Sequence, residues 1–139
     1  MKKRLIIFTI IMITIVGSII AYFNFNNEPV HTVNRLIERV ENGNIRGIEL
    51  RDGQVNSIKE MFTFSDNNEL NKPKINVRQI YTDGNEEQIL ATFEIFQYSS
   101  NNQIKNIYVG HLYFTLVKKS IFKWKVLDVK TISNMKKQL

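Results

Sequence analysis

The chain has 139 residues, two histidines and no cysteine, with 19 basic against 13 acidic side chains and a net charge of +6. The cysteine count excludes a disulfide-stapled domain, a thiolate metal site and a lipid-modified N-terminal cysteine. The positive balance is local: Lys2, Lys3 and Arg4 open the chain, residues 24–104 carry eight basic and twelve acidic side chains, and residues 105–139 carry eight basic ones against Asp128 alone.

Leu5 to Phe23, LIIFTIIMITIVGSIIAYF, runs for 19 residues without a charge. As a helix it spans roughly 28 Å at ~1.5 Å per residue, close to the ~30 Å hydrocarbon thickness of a bilayer. It reads as a transmembrane anchor over 5–23 behind a cytoplasmic basic tip over 1–4. A cleaved signal peptide needs small residues at −3 and −1, and Ala21 is preceded there by Ile19. No Lys or Arg follows the span until Arg35. The positive-inside rule therefore predicts a cytoplasmic N-terminus, with residues 24–139 outside the membrane. A domain without cysteine suits export by a bacterium better than a small animal secreted domain.

About 110 residues remain, enough for one domain with its own core and too few for two. Residues 24–29 read as a linker. Asn27 is the expected helix cap and Pro29 fits a first turn, with Glu28 favouring the positive end of the dipole. Val33, Leu36, Ile37 and Val40 recur at i, i+3, i+4 and i+7 and predict an amphipathic helix, which Gly43 stops. Ile45, Ile48 and Leu50 are expected in a buried turn or short helix. Val55, Ile58, Met61 and Phe62 predict a second helix, and 65–74 is expected to be a loop.

From Lys74 the period changes from helical to alternating. Ile75–Tyr81, Gln88–Tyr98, Ile107–Val117 and Ile121–Thr131 are expected strands, with turns at Asp83-Gly84-Asn85 and Lys118-Lys119-Ser120. Short connections predict an antiparallel meander. Parity places Ile89, Ala91, Phe93 and Ile95 on one face with Leu112, Phe114 and Leu116. Pairing Phe93 with Leu112 sets Thr92 opposite Tyr113 and Glu94 opposite His111. Phe122, Trp124 and Val126 then match Leu116, Phe114 and Leu112, so Trp124 is expected inside with Phe114. The apolar phase slips at Val126-Leu127, which predicts a bulge, and Gly110 is expected where a strand bends.

A leading helix before a curved antiparallel sheet, with YVGHLYFTLVKKSIFKWKVLDVK at Tyr108–Lys130 as its ending, resembles the NTF2-like (cystatin-like) superfamily. The resemblance covers roughly residues 30–132 and leaves 133–139 as a basic tail. It implies an α+β fold: an N-terminal transmembrane helix, then short helices packed on a curved four-stranded antiparallel sheet. Membrane-anchored domains of this kind occur in bacterial conjugation and secretion assemblies. The superfold itself hosts enzymes, carriers and scaffolds, so function has to come from the site.

Enzymes of the superfamily place an Asp/His or Asp/Tyr pair inside the cone. The inward positions here, Ile89 to Ile95 and Leu112 to Leu116, offer nothing that exchanges a proton at neutral pH. No catalytic residue, cofactor or metal is expected, since His31 and His111 stand apart and no phosphate-loop pattern occurs. Glu86-Glu87 reads as a solvated edge. Lys118, Lys119, Lys123 and Lys125 with Tyr113 could track a nucleic acid, but a domain outside the membrane rarely meets one, and nucleic acid is not the expected partner. The outward face of the third strand carries more information. Ile107, Val109, Tyr113, Thr115 and Val117 are interrupted only by His111, whereas a half-buried strand should be polar there. That face, with Val109, His111, Tyr113, Thr115, Lys123 and Lys125, is the expected interface for a protein partner or a second copy. The expected function is a non-enzymatic, membrane-tethered scaffold module of the bacterial envelope. The alternative is a small-ligand domain using the mouth of the cone, at Tyr81 and Tyr108.

Overall fold

The computed structural model describes the backbone of residues 2–26, 28–120 and 123–138, and the side chains of residues 7–22, 28–120 and 123–138. It is α+β, with three helices and a four-stranded antiparallel sheet. The elements in chain order are α1 (Lys2–Asn26), α2 (Pro29–Glu41), α3 (Asp52–Asn67), β1 (Lys74–Asp83), β2 (Glu86–Tyr98), β3 (Ile104–Ser120) and β4 (Lys123–Lys137).

Helix α1 has 25 residues and its described side chains, 7–22, are all exposed. Thr14 and Ser18 donate to the carbonyls four residues back, at 2.9 and 2.8 Å, so their hydroxyls are satisfied within the helix. Among the described residues no helix is long and apolar enough to cross a membrane. The stretch with described side chains covers only about 24 Å of rise, against the ~30 Å a span requires. The ends of the uncharged run and the side chains of Lys2 to Arg4 lie outside that stretch.

Helix α2 begins at Pro29, with Glu28 rather than Asn27 as the cap residue; Asn27 lies outside the described residues. Val33, Leu36, Ile37 and Val40 form its buried stripe, as their spacing predicts. It ends in a Schellman turn: the Asn44 amide donates to the Arg39 carbonyl (2.8 Å), the Gly43 amide to that of Val40 (3.1 Å), and Gly43 takes φ 71°. Ile45, expected to be buried, is 43% exposed, because this turn points it off the end of the helix; Ile48 and Leu50 do pack against the core. Helix α3 runs on to Asn67, through residues expected to be loop. Ser65 is buried in it, its hydroxyl donating to the Phe62 carbonyl at 2.6 Å.

The sheet order β1-β2-β3-β4 is a meander with every pair antiparallel. Gly84 takes φ 56° in the two-residue turn between β1 and β2, a conformation glycine adopts without Cβ strain. The inward residues are as expected: Ile89, Ala91, Phe93, Ile95, Leu112, Phe114 and Leu116 are all buried against α2 and α3. The register differs by two residues. Phe93 lies opposite Gly110 and Ala91 opposite Leu112, so Thr92 faces His111, Glu94 faces Val109, and Leu90 faces Tyr113. An even offset preserves faces, and for that reason the core is the expected one although the neighbours are not.

Between β3 and β4 the bulge falls where the sequence phase slips: Thr115 pairs with Asp128, Leu116 with Val126, and Leu127 is the extra residue, 49% exposed. Trp124 is not beside Phe114. It lies opposite Lys118 and is half-buried, while Phe114 lies opposite Val129. Ile121 and Phe122, the latter expected on the inner face, lie outside the described residues. Residues 133–137, read as tail, are the end of β4, where Met135 is buried. Gly110 sits opposite this end rather than opposite the Val126-Leu127 bulge, with the register shifting again between Val109 and His111. A Cβ there would stand 2.8 Å from Met135 Sδ and 2.9 Å from Met61 Sδ, so glycine admits the close approach of α3 and β4.

Candidate functional site

The outer face of β2 and β3 is the first candidate. The alternate residues of β2 and β3 that face away from the core form cross-strand rows. One runs Arg78, Leu90, Tyr113, Lys130; a second runs Lys74, Glu94, Val109, Lys136; Phe96 lies opposite Ile107. The face thus carries apolar and aromatic residues at Leu90, Tyr113, Val109, Phe96 and Ile107, interleaved with Thr92, His111 and Glu94. Lys74 and Arg78 lie on one flank and Lys130 and Lys136 on the other, Lys130 being paired with Asp128 at 3.5 Å. The buried apolar residues of α2 and α3 all join the core on the other side, and the described side chains of α1 are exposed. Among the described residues, no helix packs on this face.

Of the expected interface residues, Val109, His111, Tyr113 and Thr115 lie there together, each half-buried between neighbouring strands. The partners of two of them differ from expectation. His111 Nδ1 is 3.2 Å from Thr92 Oγ1 rather than beside Glu94, and Tyr113 neighbours Lys130 rather than Lys125. Lys123 and Lys125 do not belong to this face. They reach round the β4 edge, where Lys125 forms an ion pair with Glu49.

That edge holds a cleft of ≈ 640 Å³ between the open side of α2, the 47–50 segment and the start of β4. Its apolar floor is Leu36, Ile48, Leu50, Trp124 and Val126. Its rim carries Arg35, Arg39, Lys119, Lys123 and Lys125 against one carboxylate, Glu49. Helix periodicity puts Arg35 and Arg39 four residues apart on one face, above Leu36. The Arg39 guanidinium donates to the Arg46 carbonyl at 2.5 Å, which anchors the 44–50 segment to α2. The hydrogen bond from Lys125, with Lys123 and Lys119 adding their charge, holds the exposed Glu49 carboxyl below its ordinary range. The contribution of that pair is present above the unfolded carboxyl pKa and is lost as pH falls through the lowered folded value. Lys118 Nζ lies 5.9 Å from the centre of the Trp124 ring.

The two tyrosines of the alternative pocket are not brought together. Tyr81 is 51% exposed on β1, in the row of Gln88 and Thr115, whereas Tyr108 packs on Phe64 with ring centres 5.4 Å apart. Thr115 and Tyr108 are separated by about 24 Å of β3 at ~3.4 Å per residue. Neither tyrosine lines the cleft. Glu87, read as a solvated edge, is buried; its carboxylate accepts from Gln79 Nε2 (2.6 Å) and Thr82 Oγ1 (2.9 Å). Among the described residues no group of three or more His, Asp or Glu lies close enough to hold a metal ion.

The cleft escaped the sequence reading because it is built from two elements 80 residues apart. Its signal lies in the spacing of Arg35 and Arg39, to which the sequence reading gives no role, and in Lys-Trp-Lys at 123–125, whose lysines it puts on an outward strand face. No family model, curated protein or solved structure matches the chain.

Proposed function

We propose that the chain is a non-enzymatic, membrane-tethered interaction module of the bacterial envelope, which uses the outer face of β2 and β3 to hold a protein partner within a larger assembly. The observation that carries this reading is the set of uncovered apolar residues Leu90, Phe96, Val109 and Tyr113, interleaved with Thr92, His111 and Glu94, between basic flanks at Lys74 and Arg78 on β1 and Lys130 and Lys136 on β4. An apolar segment flanked by acidic residues complements it, since the centre supplies burial and the flanks supply register. A second copy would set basic flanks near basic flanks, so a different protein fits better.

The tether rests on the uncharged run Leu5–Phe23 behind Lys2, Lys3 and Arg4. Helices covering one face of a four-stranded meander, with a bulge and a close-approach glycine on its third and fourth strands, support the NTF2-like reading of the fold.

Tyr113→Glu tests the interface. Tyr residues are prominent among positions whose truncation weakens an interface by ≥ ~2 kcal/mol, and a buried unpaired carboxylate adds to that. The substitution is expected to abolish co-purification of the partner from membranes while the thermal unfolding midpoint stays near that of the native chain, because the core side of β3 is untouched. Retention of the same partner by the Tyr113→Glu chain removes the interface reading. Protease added outside intact cells is expected to cut the domain, and detergent to be needed for its extraction.

A further inference from the structure

We infer that the free edge of β1 is a docking site for an extended acidic segment of another protein, which joins the sheet as a further strand. The meander leaves two edges, β1 and β4. The β4 edge is tied to the helical half: Lys125 pairs with Glu49, and Asp128 accepts from Gln54 and lies 3.5 Å from Arg51. The β1 edge has no such cover. Eight of its ten residues are exposed, and β2 is its only partner in the sheet. Among the described residues, no turn, loop or helix backbone bonds to its main chain. The N–H and C=O groups that point away from β2 are a template for another strand.

Edges are guarded in folded proteins by shortness, proline, cover or charge. β1 is long for an edge, and Pro73 precedes it rather than interrupting it. Its pairing with β2 is regular from Lys74 to Gln79 and shifts at Ile80. The six residues before that bulge, about 20 Å of strand, are the stretch open to a partner.

The side chains of this stretch set the chemistry of its occupant. Lys74, Asn76 and Arg78 share the outer face, while Ile75 and Val77 share the inner one and are half-buried against the core. An added strand alternates to match. It places carboxylates four residues apart beside Lys74 and Arg78, and apolar residues beside Ile75 and Val77, whose exposed halves they cover. Among the described residues neither Lys74 nor Arg78 forms an ion pair. Lys74 faces Glu94 across the ladder and Arg78 faces Leu90, so Arg78 is the stronger determinant. A second β1 would bring its own Lys74 and Arg78 against a single Asp83, so charge selects an acidic strand over another copy. Main-chain bonds supply the affinity and the alternating side chains the selectivity. The site borders the outer face of β2 and β3 but does not rest on the interface reading.

The test uses the full chain in uncharged detergent and follows backbone hydrogen exchange residue by residue. The probe is a synthetic, end-capped heptapeptide in which valine and threonine alternate between two glutamates four residues apart. One control replaces both glutamates by lysine. The other keeps them and is N-methylated at alternate residues, so it cannot complete the ladder. The glutamate peptide is expected to slow exchange about ten-fold or more, saturably, at alternate amides within 74–79, and neither control should do so. Arg78→Glu should raise its half-saturation concentration about ten-fold or more and make the lysine peptide effective. Arg78 is exposed, and an unchanged unfolding midpoint checks that the substituted chain is folded. If that midpoint falls, Lys74→Glu, also at an exposed position, makes the same comparison. Absence of slowing with the glutamate peptide, or equal slowing with either control, overturns the inference. So does slowing of the same amides by raised chain concentration alone, which makes a second copy the occupant. Tyr113→Glu should leave the peptide effect in place, so failure here and failure of the interface reading are separate results.

Discussion

Phe114→Ala is expected to lower the stability of the domain by about 3–5 kcal/mol, the loss typical of a buried aromatic truncated without collapse of its site. Phe114 is fully buried at the centre of the third strand, opposite Ile89 on one side and Val129 on the other. Domains of this size hold only about 5–15 kcal/mol in total, so the substitution removes a large fraction of it. Chemical unfolding of the full chain in uncharged detergent, followed by Trp124 emission and by sheet circular dichroism, should show the midpoint falling with an unchanged slope. Trp124→Ala, read by circular dichroism, should cost clearly less than Phe114→Ala. Its ring lies in the cleft floor with one side toward solvent, so part of its surface is never removed from water. If the order of the two losses is reversed, the placement of β4 against β3 is wrong.

A second large loss is expected at Gly110. A valine there puts Cβ against two thioethers at 2.8 and 2.9 Å and, less negotiably, 3.1 Å from the Met135 amide nitrogen. Methionine side chains can swing aside; the backbone of β4 can only separate from β3. Overpacking of this kind costs typically about 1–3 kcal/mol, and the two added γ-carbons put Gly110→Val at the upper end. Because Met61 is one of the obstructing groups, Met61→Ala should cost less on top of Gly110→Val than it does alone. Strict additivity in that cycle would show that α3 does not close over Gly110 as described.

Face assignments were legible in the sequence, whereas neighbour assignments were not. Alternation from Lys74 onward separates Ile89, Ala91, Phe93, Leu112, Phe114 and Leu116 from their outward neighbours, and any even register preserves that split. The bulge at Leu127 was equally readable, since an apolar phase that slips by one must be absorbed somewhere. The offset of two between β2 and β3 was not, because it is set by the long Ser99–Gln103 turn, whose geometry no alternation encodes. Ser99 closes that turn, its amide bonding the Gln103 carbonyl at 2.8 Å, and Asn102 takes φ 62° within it. The same offset moved His111 from Glu94 to Thr92 and Tyr113 from Thr92 to Leu90, whereas the move of Tyr113 from Lys125 to Lys130 comes from the separate register of β3 against β4. The outer face was visible as a strand apolar on both sides. The cleft was not, because it needs α2 and β4 in the same place.

The meander order also bears on how the domain comes to be folded. Each strand pairs with its neighbour in sequence, so β1, β2 and β3 can zip up hairpin by hairpin as the chain is delivered, with short loops to close at every step. Ties between the helical half and β4 depart from this economy, the Lys125–Glu49 ion pair among them. Gln54, whose side chain accepts from the Arg51 amide at the start of α3, also donates to Asp128 on β4, a contact across 74 residues. Helix α3 precedes in the chain the strand that closes over it: without β4, Met61 has no Met135 to meet above Gly110, and the core is open on that side. A chain stopped before residue 123 lacks β4 and with it the Met135 contact over Gly110, so its helix–sheet seam is expected to stay open.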